Sequence, residues 1–358
     1  MKKHNFSSGP SILPEYTLKH AAKAVQEWDE FGGLSLIEVS HRSKAFVAVI
    51  EEAIALIKEL LSVPDNYDIV FLHGGASMQF CMIPFNLLGP DQSALYLDTG
   101  TWSAKAIKEA KIFGNTQVVA SSKSSNYDHI PSFDISTKEN VAYFHITTNN
   151  TIYGTQIQED LQVDVPLVAD MSSDIFSRPI EVSNYDLIYA GAQKNLGPAG
   201  VSIAIIKKGI LGHTQRAIPS MLNYQTHIDK DSMFNTPPVF AIYASLLTLR
   251  WLKENGGVPA MQKVNEEKAN LLYREIDKNT LFSGTVKKAD RSKMNATFVM
   301  ADTALEAAFL KSCQDNAISG IKGHRSVGGF RASLYNAMPL ESVEHLVNCM
   351  QEFEKAHG

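Results

Sequence analysis

Cysteine is scarce in this chain: three occur in 358 residues, at positions 81, 313 and 349, with no CxxC pair and no metal-ligand spacing. That excludes a disulfide-stapled scaffold and argues against a thiolate metal centre, so no metal is expected. An excess of one charge is missing too. Lys and Arg total 33 against 38 Asp and Glu, a formal charge of -5, which offers no global attraction for nucleic acid or an anionic membrane; neither partner is expected. No apolar run approaches the roughly 20 residues of a membrane span. The opening MKKHNFSSGP has two lysines but no apolar stretch of signal-peptide length, and with so few thiols a reducing cytoplasm is the simplest compartment. Neither GxGxxG nor GxxxxGKS/T occurs, which removes the dinucleotide and P-loop fingerprints. There is no internal repeat or low-complexity tract.

What is present is alternation. Short apolar runs (DIVFLH, SALYLDTG, NVAYFHIT, VPLVAD, DLIYAG, VSIAII) alternate with amphipathic stretches whose apolar residues recur every three and four positions, the pattern of an α/β fold. Helices are expected in LKHAAKAVQEWDEF, in KAFVAVIEEAIALIKELL and from Val239 to Lys253, the last ending at Gly256, Gly257 and Pro259. A chain of 358 residues exceeds the size at which one core stops growing. Two domains are therefore expected: a large one over 16–257 and a smaller α/β one over 258–358, with residues 1–15 packing near the smaller.

The chemistry concentrates at two strand ends. LIYAGAQKNLGPAG places Lys194 just past an apolar strand, among Gly191, Ala192, Gly197, Pro198, Ala199 and Gly200. So many small residues suggest a backbone approached closely by another body. Asp170 ends PLVAD, 24 positions upstream. An amine and a carboxylate emerging together are what pyridoxal phosphate needs: a Schiff-base lysine, and an acid that keeps the ring nitrogen protonated. Taken singly, a lysine after a strand is ordinarily a solvated loop residue, and Asp170 before MSSD could cap a turn. A third element is the glycine turn at Gly74 and Gly75, with a helix expected from about Met78; its N-terminal amides and the Ser77 hydroxyl could take a phosphate.

Cations supply a substrate side. His41 and Arg42 lie in a polar turn, and His324, Arg325 and Arg331 punctuate GHRSVGGFR. Arginine's planar fork grips carboxylate or phosphate bidentately, although any one of these residues alone reads as a solvated surface charge.

Seven blocks spread in order along the chain resemble the phosphoserine aminotransferase family of fold-type-I pyridoxal phosphate enzymes: FSSGPSILP, EVSHRSK, FLHGGASMQF, VADMSSDIFSRPI, IYAGAQKNLGPAG, SMFNTPP and GHRSVGGFRASLYNAMP. The resemblance implies a large domain with a mostly parallel central sheet and a smaller C-terminal α/β domain. It makes Lys194 the Schiff-base lysine, Asp170 the pyridinium partner, Trp102 the stacking ring, Thr151 and Gln193 cofactor contacts, and Ala76 and Ser77 the phosphate cup. Some members carry Gly-Arg where this chain has Ala76-Ser77, so a guanidinium is lost there. Arg42 and Arg331 are expected on a substrate carboxylate, with His41 and Arg325 helping to hold the phosphate and His324 also among the substrate-binding residues. The implied reaction is transamination between O-phospho-L-serine with 2-oxoglutarate and 3-phosphohydroxypyruvate with L-glutamate, with 4-phosphohydroxy-L-threonine as a further substrate. A homodimer is implied as well, Asn235 and Thr236 reaching the neighbouring subunit's cofactor phosphate. The alternatives are another class V aminotransferase, a cysteine desulfurase, disfavoured by Trp102 in place of a stacking histidine, or a non-catalytic cofactor-binding regulator.

Overall fold

Apolar runs flanked by amphipathic helices demand a sheet covered on both faces, and the computed structural model holds one. It describes residues 3–29, 32–136 and 138–358. The strands in chain order are β1 (His4–Asn5), β2 (Tyr67–Leu72), β3 (Ser93–Asp98), β4 (Asn115–Ser121), β5 (Val141–Thr147), β6 (Leu167–Asp170), β7 (Leu187–Gly191), β8 (Ser202–Lys207), β9 (Phe282–Gly284), β10 (Asn295–Met300), β11 (Ile318–Ser319) and β12 (Phe330–Ser333). The helices are α1 (Glu15–Gln26), α2 (Lys44–Leu61), α3 (Gly75–Leu87), α4 (Thr101–Ala110), α5 (Tyr224–Ile228), α6 (Val239–Glu254), α7 (Gly257–Lys278), α8 (Glu306–Asp315) and α9 (Leu340–His357).

The central sheet runs β2-β8-β7-β6-β5-β3-β4. β8 is antiparallel to both of its neighbours, and the remaining pairs are parallel. Successive residues supply opposite faces. In β3, Leu95 and Leu97 join the core with α1, α2 and α6, while Ala94 and Tyr96 join the core with α3 and α4; Ile203 and Ile205 against Ala204 and Ile206 repeat this in β8. Double-sided burial is why these strands read as continuous apolar runs. β4, an edge strand with partly exposed residues throughout, gives no such run.

A three-stranded sheet, β12-β10-β9, packs with α7, α8 and α9 around a separate core. Phe6 from the N-terminal segment is buried in that core, and β1 pairs with β11. α7 is shared between the cores: Val258 and Met261 face the large one, Leu272 and Ile276 the small one.

Three helix bounds differ from expectation, the first being that α1 opens at Glu15, directly after Pro14, rather than at Leu18. α1 stops at Gln26, because Glu27 turns extended and Trp28 buries beside Tyr243, ring centroids 5.5 Å apart, its backbone N–H going to Leu34 O. The end of that expected helix, Glu30 and Phe31, lies outside the described residues. α3 starts at Gly75 rather than near Met78, since Gly74 takes a left-handed cap with φ 79° that few other residues adopt.

Candidate active site

In an open α/β sheet, ligands sit beyond the carboxyl ends of the strands. Asp170 is the last residue of β6 and Thr147 the last of β5. Lys194 follows β7 through a tight turn in which Lys194 N and Gly197 N both donate to Ala192 O, at 2.7 and 2.8 Å. Trp102 stands in the first turn of α4, after β3. These elements enclose a cleft of about 250 Å³ lined by Gly75, Ser77, Trp102, Asp170, Ser173 and Lys194, with Ala76 and Gln193 also in its wall.

The small residues around Lys194 have a visible cause. A Cβ on Gly197 would fall 2.3 Å from Ser245 Oγ, so α6 packs directly on the lysine turn. Asn195 fixes the other side, its amide donating to Ile175 O at 3.1 Å.

Electrostatics tune the amine. Burial pushes Lys194 down to about 8; Asp170 and Asp174 pull it back up, and the Arg331 guanidinium lowers it further. Its Nζ donates to Thr151 Oγ1 at 2.6 Å and lies 5.8 Å from the Trp102 ring centre. Burial raises Asp170 above the ordinary carboxylate range, opposed by Ser172, Lys194 and the Tyr189 hydroxyl, and Ser172 N donates to its Oδ1 at 2.9 Å. Asp174, buried behind it, is pushed up to about 6.

The cleft also holds unspent polar groups. Trp102 Nε1 and Thr147 Oγ1 are buried without a partner among the described residues, which is costly unless a ligand supplies one. The first helical bond of α3 runs from Met78 N to Gly74 O, leaving the amides ahead of it, Ala76 and Ser77 included, without helical acceptors.

The Aminotransferase class-V family model matches residues 3–346. The chain belongs to the class-V aminotransferases. Among curated members it is 62% identical to the phosphoserine aminotransferase of Parabacteroides distasonis over 359 residues, 100% of both chains. It is 60% identical to that of Phocaeicola vulgatus, again over 100% of both. Among solved members, the phosphoserine aminotransferase from Bacillus circulans subsp. alkalophilus superposes with a TM-score of 0.96 at 43% identity, covering 100% of this chain and 99% of that one. The pyridoxal phosphate-bound enzyme from Trichomonas vaginalis gives 0.93 at 40% identity, covering 98% and 100%.

Within this class-V chain the cations divide. Arg331, on β12 opposite Thr297, is buried, and its guanidinium donates to Thr151 O at 3.1 Å and Ser8 Oγ at 2.6 Å. It has no carboxylate partner among the described residues, and its Nε is unpartnered. His324 shares a bond with Ser326 Oγ at 2.6 Å; burial lowers its pKa, and Arg331, Arg325 and Lys105 lower it further, so three cationic side chains act on this imidazole. Lys105, which the sequence reading does not single out, sits 4.4 Å over the Trp102 ring. Arg325 and Arg42 are exposed, and His41 keeps a buried Nε2 without a partner. None of His41, Arg42, His324 and Arg325 lines the 250 Å³ cleft of the same chain, and neither do Asn235 and Thr236. Asn235 instead contacts His73 Nε2 at 3.1 Å. Among the described residues no His, Cys, Asp and Glu cluster is arranged to hold a metal, and no helix is long and apolar enough to cross a membrane.

Proposed function

We propose that this chain catalyses pyridoxal phosphate-dependent transamination, interconverting O-phospho-L-serine and 2-oxoglutarate with 3-phosphohydroxypyruvate and L-glutamate in serine biosynthesis. The observation that carries the reading is one cleft lined by an amine poised near neutrality, Lys194, and a buried carboxyl, Asp170, with a buried arginine that has no acid among the described residues, Arg331, bonded to the same Thr151 that holds the Lys194 amine.

The residues present fit the cofactor. The free amides of Ala76 and Ser77 and the α3 dipole suit its phosphate, Trp102 offers a flat face for its ring, and the partnerless Thr147 hydroxyl and Trp102 Nε1 await a polar ligand. Thr151 and Gln193 complete the contacts we assign. When bound, the cofactor supplies an electron sink for negative charge developing at the substrate α-carbon.

The protein's part is to hold and move protons. Asp170 keeps a proton on the ring nitrogen through its negative charge. Lys194 would hold the cofactor aldehyde through Nζ in the resting enzyme, and with the substrate amine in its place the freed Nζ would take the proton from the substrate α-carbon and carry it across the site. An amine near 8 can do both at neutral pH, since neither protonation state is prohibitive. Arg331 grips the carboxylate common to both amino acids, with Arg42 assisting, while His41, His324 and Arg325 meet the phosphate. 4-Phosphohydroxy-L-threonine carries the same two anionic groups and is a second candidate substrate. We further propose a cytoplasmic homodimer in which Asn235 and Thr236 complete the partner's phosphate cup.

The deciding experiment offers phosphoserine, serine, alanine and cysteine as amino donors to 2-oxoglutarate in a coupled assay. Phosphoserine should dominate; equal use of alanine, or no turnover with any donor, would overturn the reading.

A further inference from the structure

Three hydroxyls from separate segments converge on one carboxyl next to Trp102, in a part of the fold that the reaction described above does not use. Asp98 ends β3, just before the turn that leads into α4 and Trp102, and is buried. Ser103 Oγ, in the first turn of α4, lies 3.1 Å from Asp98 Oδ1. Ser121 Oγ, at the end of β4, donates to Oδ2 at 2.7 Å, and the Tyr127 hydroxyl donates to the same oxygen at 3.2 Å. Ser103 is buried and spends its acceptors as well, taking the N–H groups of Thr99 and Gly100, both at 3.0 Å. Its chain neighbour is Trp102, so this knot fixes the backbone from which the indole projects.

Tyr127 is held against its own preference. Its φ is 55°, in the left-handed region that bulky side chains rarely enter, and Asn126 before it has 53°. Such strain persists only where the surroundings over-determine it, and it clusters at functional sites. Here the surroundings are visible: the hydroxyl reaches Asp98, the backbone N–H donates to Ser122 O at 3.0 Å, and the ring packs on Tyr153 with centroids 4.7 Å apart. Burial and the Asp98 charge raise the phenol's pKa, so it keeps the proton that it donates. Tyr153 borders the turn too. A Cβ on Gly100 would meet Asn150 Oδ1 at 2.6 Å and Tyr153 Cδ2 at 3.3 Å, so the turn ahead of α4 is gripped by the Asp98 knot and the 150–153 loop together.

We propose that Tyr127 and Asp98 are positioning residues for Trp102: the Tyr127 hydroxyl, anchored on Asp98, holds the first turn of α4 so that the indole presents its face and its Nε1–H to the cofactor. This rests on Trp102 being the cofactor's stacking ring. Two properties of that indole depend on its angle. Aromatic pairs gain only in particular offsets and tilts, and Nε1, buried without a partner, helps only where an acceptor meets it in line. Lys105, with Nζ 4.4 Å from the ring centre, cannot set that angle, because its flexible stem follows the indole rather than holding it.

The test replaces the chain's three tryptophans with 5-fluorotryptophan and reads their fluorine-19 resonances, the Trp102 line being the one lost in Trp102→Ala. In cofactor-free wild type the Trp102 line should be sharp, and it should shift when pyridoxal phosphate is added. Tyr127→Phe keeps the ring and its packing but not the anchor. The Trp102 line should then move or broaden while those of Trp28 and Trp251 stay, and pyridoxal phosphate should bind about tenfold more weakly. Ser121→Ala, which removes the other donor on the same oxygen, should act in the same direction. Because the effect passes through the indole, Tyr127→Phe should add no further loss of cofactor affinity in the Trp102→Ala background. Additive losses would overturn the proposal, as would an unmoved Trp102 line in both Tyr127→Phe and Ser121→Ala. Trp102→Ala is also the control for the underlying reading: if it binds the cofactor as tightly as wild type, Trp102 is not the stacking ring. If it weakens binding and Tyr127→Phe does not, the positioning role alone is wrong.

Discussion

Lys194 and Thr151 are joined by a 2.6 Å hydrogen bond from Nζ to Oγ1, and the same threonine's carbonyl holds Arg331 at 3.1 Å. Burial and Arg331 disfavour the charged amine, Asp170 and Asp174 favour it, and burial wins, giving a value of about 8. In cofactor-free protein, capture of pyridoxal phosphate should therefore accelerate as pH rises through about 8. Thr151→Val removes a bond that is stronger to the ammonium than to the amine, so its midpoint should fall lower still. A wild-type midpoint near 10.5, the value of an exposed lysine, would contradict this. Lys194→Ala should cost about 100- to 10,000-fold in turnover from lost proton transfer alone, and a folded variant with near-native rates would remove Lys194 from its assigned role.

Arg331 is the second test. A buried guanidinium with no acid among the described residues is costly unless an anion arrives. Arg331→Ala should lower kcat/KM by about 2 to 5 kcal/mol for phosphoserine and glutamate together, since both present a carboxylate. Arg331→Lys keeps the charge but not the fork and should recover only part. A loss confined to phosphoserine would move Arg331 to the phosphate.

Much of this was legible in the sequence where burial is double-sided. Six apolar runs correspond to six strands of the central sheet, and Lys194 and Asp170 stand out because both end such runs. β4 was silent because an edge strand needs no apolar face. Tyr189 and His145 were unreadable for another reason: their 2.9 Å contact joins β7 to β5 across β6, and only the register of these three adjacent strands sets it. Lys105 reads as an ordinary helix-surface lysine until Trp102 and His324 are seen beside it.

The glycine that lets α6 approach the lysine turn gives a third prediction. In Gly197→Ala the new methyl meets Ser245 Oγ at 2.3 Å and the Ser245 backbone at 3.2 Å, so it cannot be absorbed by one rotamer change. The variant should lose about 1 to 3 kcal/mol of stability and bind cofactor more weakly, because the Lys194 turn must shift. Ser245→Ala with Gly197→Ala should recover part of the loss; unchanged denaturant midpoints in the single variant would refute the close approach.

Lys268 makes stability depend on pH. Its Nζ, wholly buried, donates to Leu334 O and Tyr335 O, both at 2.8 Å, with no carboxylate partner among the described residues. Burial pushes it from 10.5 down to about 7; a neutral amine still has the two N–H groups those carbonyls require. Between pH 7 and 10.5 the unfolded chain holds a proton that the folded one has released, so unfolding takes up a proton and stability rises with pH. The slope from this residue reaches about 1.4 kcal/mol per pH unit and vanishes below the folded value. Lys268→Met should flatten the rise measured by denaturant unfolding at pH 7, 8 and 9, while also leaving two carbonyls unpartnered and lowering stability at every pH. A slope equal to wild type would show that Lys268 stays charged in the folded protein.

The shared-site homodimer yields the last prediction. Asn235 is half-buried against His73 and Thr236 is exposed, and both fall outside the cleft lined by Lys194 in their own chain. The two prolines that follow, Pro237 and Pro238, stiffen the segment ahead of α6, so it presents a fixed surface rather than a loop free to fold back. If that surface completes the partner's phosphate cup, an inactive Lys194→Ala protein and an inactive Asn235→Ala/Thr236→Ala protein should complement each other. In a mixed dimer, one site combines an intact lysine with an intact partner segment, and the other combines both defects. Activity should return toward half of wild type per mixed dimer, and cofactor retention should fall on dilution as dimers dissociate. Confirmed subunit exchange without any recovered activity, or a fully active monomer, would mean that each chain builds its site alone.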